Sequence, residues 1–451
     1  MKYISRFTAL LLSLALFTGC ASQAVPDPQV TSFQPDYPAM APYPDESQFV
    51  NLATGEFDSD GFSLVYDAWL QNRDLKAEIP EGYADSLDAY FLKSIPALLD
   101  SGEQNAAASP LNIYMALAML AEITGSDSRQ EILDLLQAES AEALRTQANQ
   151  VWKAHYCADG ASSCVLANSL WLDTQLPFHE DTVSRLNQDY YASVFHCDLG
   201  TEAANHALRQ WLDEQTSGLL TDQTQNLSMD PQTALALAST IYYRAKWSSE
   251  FNPGRSSDEI FHAPSGDRTA TFMNKELTYG PYYWGDDYGA VSLRLEDGSK
   301  MWLILPDEGK TPADILSSGH ALRLVLGGWL ETGAQKSLRV NLSLPKFDVV
   351  SNISLNESLK ELGICSVFDQ LSADFSPITT AENLWLDRAD HAARVKIDEE
   401  GVEAAAYTVM MAAGASMPPE DEIDFVLDRP FLFVITSGDE LPLFAGIVNE
   451  P

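Results

Sequence analysis

The chain has 451 residues, with 27 lysines and arginines against 65 aspartates and glutamates, a formal charge of −38. A phosphate backbone would be repelled by such a surface, so no nucleic acid is expected as a partner. Hydrophobic residues make up 45% and charged residues 20%, a balance that closes a core and excludes a disordered chain.

Residues 1–19 open with Lys2 and Arg6 and continue in an apolar run from Phe7 to Phe17. That run is too short to span a bilayer and reads as a secretory signal peptide. The end of it, Leu16-Phe17-Thr18-Gly19-Cys20, resembles a bacterial lipoprotein box, with Phe17 where Leu is usual. The resemblance implies secretion across the inner membrane and lipidation of Cys20 as the first mature residue. Several acyl chains on one residue would anchor the chain stably. Ala21 and Ser22, with no Asp beside the cysteine, favour the outer membrane, facing periplasm or exterior. Loss of Lys2 and Arg6 takes the charge to −40, which disfavours docking on anionic headgroups.

From Cys20 to residue 60, Pro26, Pro28, Pro35, Pro38, Pro42 and Pro44 lie among polar and acidic residues without hydrophobic periodicity. This stretch reads as a partly extended tether. Asp58-Ser59-Asp60-Gly61 resembles the start of a calcium loop but lacks the later ligands, and reads as a turn. Residues 61–82 form an extension ahead of the folded part, 83–451.

Tyr83 to Leu99 carries Leu87, Phe91, Ile95 and Leu98 on one helical face. Ser109 and Pro110 then start a helix as N-cap and first residue, with Ile113, Leu117 and Leu120 as its buried stripe. Ser128 and Glu131 predict a capping box before Ile132, Leu135 and Leu136. Cys157 and Cys164 flank a short segment and could close a disulfide in an oxidising compartment. No CxxC, HExxH, Walker loop, GxGxxG or GxSxG motif occurs, so neither enzyme activity nor a metal or cofactor is expected.

In the second half the period changes. Val291 to Leu295 and Met301 to Leu305 flank a Glu296-Asp297-Gly298 turn, and Leu338, Val340, Leu342 and Leu344 alternate with polar residues. Phe431 to Ile435 and Leu443 to Val448 are apolar runs of strand length. Helices first and strands later predict an α+β fold.

The segment from Lys396 to Phe433 is the most specific. Val402 to Ser416 is small and apolar apart from Glu403 and is flanked by acidic residues and prolines. As a strand it would place Val402, Ala404, Ala406, Thr408, Met410 and Ala412 on one face, none charged, as entry between existing strands requires. The run Asp398-Glu399-Glu400-Gly401-Val402-Glu403-Ala404-Ala405-Ala406-Tyr407-Thr408 resembles the loop hinge of the serpins. Arg429-Pro430-Phe431-Leu432-Phe433 and Pro442-Leu443-Phe444-Ala445-Gly446 resemble their C-terminal signature. Ser109 to Ile113, Ala167 to Trp171, Ile241 to Trp247 and Leu344 to Phe347 match further motifs in the family order, so the resemblance spans residues 83–451.

What the resemblance implies is a monomer of three β-sheets and eight or nine helices with an exposed reactive-centre loop, about residues 400–420. Family spacing from Gly401 places the scissile bond at Ala415-Ser416. A target protease would acylate itself on Ala415, and residues from Val402 onward would insert into the central sheet before water could release it. Ala415 after Ala412-Ala413-Gly414 suits small specificity pockets, of elastase-like or subtilisin-like serine proteases. Ser109, Asn112, Ser239 and His391 are expected to latch the sheet from beneath, and Trp247 to pack at its top. Asn112 and Ser239 stand where many relatives carry Ser and Asn. Val402 replaces the commoner Thr or Ser, and Tyr407 interrupts the alanines. The alternatives are a member that no longer inhibits and serves as a binding or carrier protein, or an inhibitor of cysteine proteases.

Overall fold

The structure, a computed structural model, describes residues 30–51, 54–72, 79–100, 102–225, 227–230, 232–328, 334–386, 388–402, 419 and 421–451. Cys20 and the loop residues Glu403, Ala404, Ala405, Ala406, Tyr407, Thr408, Ala415 and Ser416 lie outside these.

The first half runs β1 (Thr31–Phe33), α1 (Ser59–Asn72), α2 (Asp88–Leu98), β2 (Ala106–Ala108), α3 (Pro110–Ile123), α4 (Ser126–Leu136) and α5 (Ala141–His155). It continues with β3 (Cys157–Ala158), β4 (Ser163–Asp173), α6 (Glu180–Asp189), β5 (Ser193–Cys197), α7 (Glu202–Gln215), α8 (Thr221–Thr224) and β6 (Leu235–Lys246). The second half holds β7 (Ser257–Ala263), β8 (Gly266–Trp284), β9 (Tyr288–Arg294), β10 (Lys300–Pro306), α9 (Pro312–Ser318) and α10 (His320–Arg323). There follow β11 (Gln335–Pro345), β12 (Phe347–Ser354), α11 (Asn356–Glu361), β13 (Asp390–Ile397), β14 (Gly401–Val402), β15 (Glu422–Val426), β16 (Phe431–Thr436) and β17 (Pro442–Val448). Helices early and strands late make the α+β architecture that the periodicities predict.

Where three separate sheets are expected, the described strands join into two. One has the order β1-β5-β4-β6-β14-β13-β12, with β3 on β4. The other runs β15-β11-β8-β9-β10-β16-β17-β2, with β7 on β8. The fusion has a local cause, because β8 is 19 residues long. It pairs with β7 from Gly266 to Phe272, with β11 from Phe272 to Tyr283, and with β9 from Tyr282 to Trp284.

Helix α3 is buried on almost every residue and runs under the first sheet. A helix apolar all round belongs in a core rather than on a surface. Ser109 caps it, its Oγ accepting from the amide of Asn112 at 3.3 Å, and Pro110 takes the first position. Glycine is required at 446, where a Cβ would fall 2.4 Å from the Phe433 ring and 2.6 Å from the Ala106 carbonyl. The close packing of β17 against β2 depends on it.

Two local readings are corrected. Ser128 and Glu131 form no capping box, because α4 begins at Ser126 with Gly125 as its N-cap. Instead the Glu131 carboxylate accepts from the amides of Cys365 and Ser366 at 2.8 Å each, and Ser128 Oγ accepts from the amide of Asp374. Both serve a distant loop. Asp58 is not in a plain turn either, since its Oδ1 accepts from Gly61 N at 3.0 Å and caps the start of α1.

The tether reading is corrected from Val30 onward. β1 adds an antiparallel edge strand to β5 in the register Thr31 to His196, Ser32 to Phe195 and Phe33 to Val194. Tyr37 packs 5.2 Å from Trp152 and 5.5 Å from Tyr156, ring centre to ring centre. Further along, Tyr43 N donates to Asp159 O at 2.7 Å, and Trp69 on α1 donates its indole N–H to Ala41 O at 3.1 Å. The prolines shape a strap that lies against the body, and its aromatic rings hold it there.

Candidate functional site

The hinge is a tight return from β13 into β14. Asp398 Oδ1 accepts from the amides of Glu400 at 2.9 Å and Gly401 at 3.3 Å, and Asp398 N donates to Gly401 O. An aspartate collecting the amides of its own turn is a standard way to close one. Gly401 then lies against β6, where a Cβ would fall 2.4 Å from Ala245 O and 2.7 Å from Lys246 Cα. Val402, the first residue expected to insert, is already in the sheet, 3% exposed and paired with Ala245 on one side and Ile397 on the other.

Four residues clamp this turn. Trp247, fully buried, donates its backbone N–H to Glu400 O and its indole N–H to Asp398 O, both at 2.9 Å. Phe251 N donates to Glu399 O, and the Phe251 ring meets Trp247 edge-on. The Glu399 carboxylate accepts from Lys346 Nζ at 2.6 Å and from Ser256 Oγ at 2.8 Å. Partial burial pushes the Glu399 carboxyl up, but the Lys346 ammonium and the Ser256 hydroxyl outweigh it, and the net shift is downward. Lys346 and Glu399 stand inside motifs already named, yet nothing local in the sequence pairs them.

Away from the turn the sheet is open to pairing. β14 is two residues long, and among the described residues β6 from Leu235 to Arg244 and β13 from Asp390 to Val395 have no ladder partner on their facing sides. Strand edges of this kind are templates for another strand.

Beneath the sheet, the four residues named from the sequence come together. Ser109 N donates to His391 Nε2 at 2.9 Å, and Asn112 Nδ2 donates to Ser239 Oγ at 2.6 Å. The Ser109 to Asn112 cap joins the two pairs. α3 thus touches β6 through Ser239 and β13 through His391, one strand on each side of the opening. His391 is buried, and burial lowers its imidazole to about 4, so the ring is neutral. A polar residue that the sequence reading passed over is Asn168, directly opposite Ser239 on β4. Both Asn168 side-chain polar atoms, with Asn112 Oδ1 and His391 Nδ1, are buried without a hydrogen-bond partner.

Cys157 and Cys164 are direct cross-strand partners of β3 and β4, and both are buried.

A sequence profile described as serpin (serine protease inhibitor) matches residues 91–451. The chain belongs to the serpin family. An uncharacterised serpin-like protein of Thermococcus kodakarensis is 29% identical over 362 residues, covering 78% of this chain and 82% of that one. Serpin-ZX of Arabidopsis thaliana is 28% identical over 371 residues, 78% of this chain and 93% of its own. Among solved structures, the native thermophilic serpin tengpin superposes with a TM-score of 0.73 at 23% identity, covering 83% of this chain and 95% of that one. The molecule accordingly has the serpin fold, and its family consists of protease inhibitors that form complexes with target proteases rather than of enzymes.

Proposed function

We propose that this serpin is an irreversible suicide inhibitor of serine proteases with small specificity pockets, elastase-like or subtilisin-like, held on the bacterial cell envelope by lipid at Cys20. The observation that carries the reading is β14. The hinge is threaded between β6 and β13, its first inserting side chain is buried, and the facing strand edges beyond it are unpaired. Cleavage at Ala415-Ser416 frees the segment after Val402 to extend β14 down that opening, carrying the acylated protease with it. Burying each Val or Met side chain contributes roughly 1.5–3 kcal/mol, and fixing each residue's backbone costs about 1–2 kcal/mol. Side-chain burial therefore nearly cancels, and the drive comes from new ladder pairing along the facing edges of β6 and β13.

The experiment mixes residues 21–451 with an elastase-type protease and looks for a covalent complex on a denaturing gel. The expected result is a stable band of the summed mass, lost in Thr408→Arg, which puts a charge on the inserting face beyond Val402, the residue already in the sheet. Clean cleavage after Ala415 with no complex would mean a substrate, and the binding or carrier reading would replace this one.

A further inference from the structure

We infer that the body is held with the Leu235 end of its first sheet toward the lipid surface and the hinge end pointing away; this rests on lipidation of Cys20, proposed above. The inference follows from register. Thr31 pairs with His196, His196 with Leu172, and Leu172 with Leu235, the first residue of β6. The hinge residue Gly401 pairs with Lys246, the last residue of the same strand. The two rows lie about 36 Å apart at roughly 3.3 Å per residue.

The chain ahead of β1 is short. Nine residues, ten Cα–Cα steps, separate Cys20 from Val30, a reach of at most about 36 Å even when fully extended. A tether running freely to residue 60 would reach about 140 Å and impose no orientation. Docking of the strap cuts that reach to about a quarter and fixes its origin in the Leu235 row. Its later part is fixed at the other end of the sheet, where Tyr43 N bonds to Asp159 O beside Ser163, and Ser163 pairs with Arg244. A pull through Cys20 is therefore taken up at the Leu235 row and is not transmitted to the hinge.

Two consequences follow for the proposed activity. The reactive loop leaves the body at the pole farthest from the membrane, where a protease approaching from solution meets it first. Extension of β14 along β6 runs from Lys246 toward Leu235, so a trapped protease is delivered to the lipid-facing pole. With its charge of −40, the body fits a zwitterionic lipid surface and not an anionic one.

The test uses the mature chain from Cys20 with Cys365→Ser, which leaves Cys20 as the thiol to couple, since Cys157, Cys164 and Cys197 are buried. It is coupled through Cys20 to a maleimide lipid in phosphatidylcholine vesicles that carry an acceptor dye on their headgroups. A donor dye sits on an azide-bearing amino acid at position 232 or at position 249, both exposed. Energy transfer is expected to be several-fold greater from 232 than from 249. A flexible Gly/Ser insert of about 60 residues ahead of Val30 should erase the contrast. Equal transfer from both positions, or more from 249, overturns the orientation. Lipidation is read separately, from the mass of the N-terminal peptide of chain recovered from the producing cell's envelope. An unmodified Cys20 there overturns the anchor and, with it, the orientation in the cell; a lipidated Cys20 with equal transfer overturns the orientation alone.

Discussion

Ser109, at the N-cap of α3, donates its backbone N–H to Nε2 of His391 on β13 at 2.9 Å, joining the central helix to a strand bordering the opening. Because Nε2 accepts, the ring proton sits on Nδ1, which has no partner.

This arrangement makes stability depend on pH. Above the ordinary histidine value of 6.5 the ring is neutral in both folded and unfolded chains, and the site adds no pH dependence. Between 6.5 and about 4 the unfolded chain takes up a proton that the buried ring refuses, so stability falls as pH falls. Below about 4 the loss is complete, on the order of 3 kcal/mol. Urea midpoints should therefore drop between pH 7.5 and pH 4.5 more steeply in the parent than in His391→Asn. Parallel slopes would mean that other groups govern the acid response.

The Lys346 to Glu399 contact supplies a second prediction. Glu399 lies in the hinge turn and Lys346 between β11 and β12, so the pair ties the turn to a neighbouring strand. Lys346→Ala and Glu399→Ala should each lower the barrier to spontaneous loop insertion and shorten the half-life of the native form at 37 °C. The double variant should do little more than either single one, with a coupling of about 1 kcal/mol for a partly exposed pair. Fully additive effects would show that the two side chains act independently.

Much of this molecule is legible in the sequence where one element buries one regular face. Leu87, Phe91, Ile95 and Leu98 are all buried, as their spacing requires. Of the four polar residues beneath the sheet, Ser109 and Asn112 were identifiable because they sit in a recognisable motif, and Ser239 and His391 through the family resemblance alone. What escaped was decided by tertiary context. β8 alternates so irregularly in burial that no period marks it. Ser128 and Glu131 have capping-box spacing, but a loop more than two hundred residues away claims both side chains. In the N-terminal strap, prolines masked a second signal, the run of Tyr37, Tyr43, Phe62, Tyr66 and Trp69, which a solvated tether has no reason to carry. Its partners, Trp152 and Asp159, lie beyond the reach of any local pattern.

Cys157 and Cys164 face each other across β3 and β4. Opposed residues in an antiparallel pair have Cα atoms about 4.5–5.5 Å apart, within the range a disulfide spans. Chain exported to an oxidising compartment and denatured without reductant should lack two titratable thiols, and the peptides bearing 157 and 164 should migrate as one until reduced. Four alkylated cysteines in the chain from residue 21 would exclude the bridge.

A last prediction concerns Glu122, a carboxylate only 3% exposed that fastens α3 to its neighbours. It accepts from Arg145 Nε and Nη2 at 3.0 Å each, from Arg185 Nε at 2.7 Å and from the Tyr190 hydroxyl at 3.2 Å. Burial raises the Tyr190 phenol well above its ordinary value, and the neighbouring carboxylate adds to that, so the hydroxyl stays a donor at every working pH. Glu122→Ala would leave two guanidinium groups facing each other without their shared anion. Removing one member of a fully buried ionic cluster costs about 3–5 kcal/mol, and the partial exposure of Arg145 and Arg185 places Glu122→Ala at the lower end of that range, whereas Tyr190→Phe, which deletes a single hydrogen bond to a charged group, should cost about 1.5–3 kcal/mol. Equilibrium urea unfolding of the two variants separates the cases. A Glu122→Ala loss no larger than that of Tyr190→Phe would mean that water enters and solvates the arginines, and that packing of α3 rather than this charge holds the three helices together.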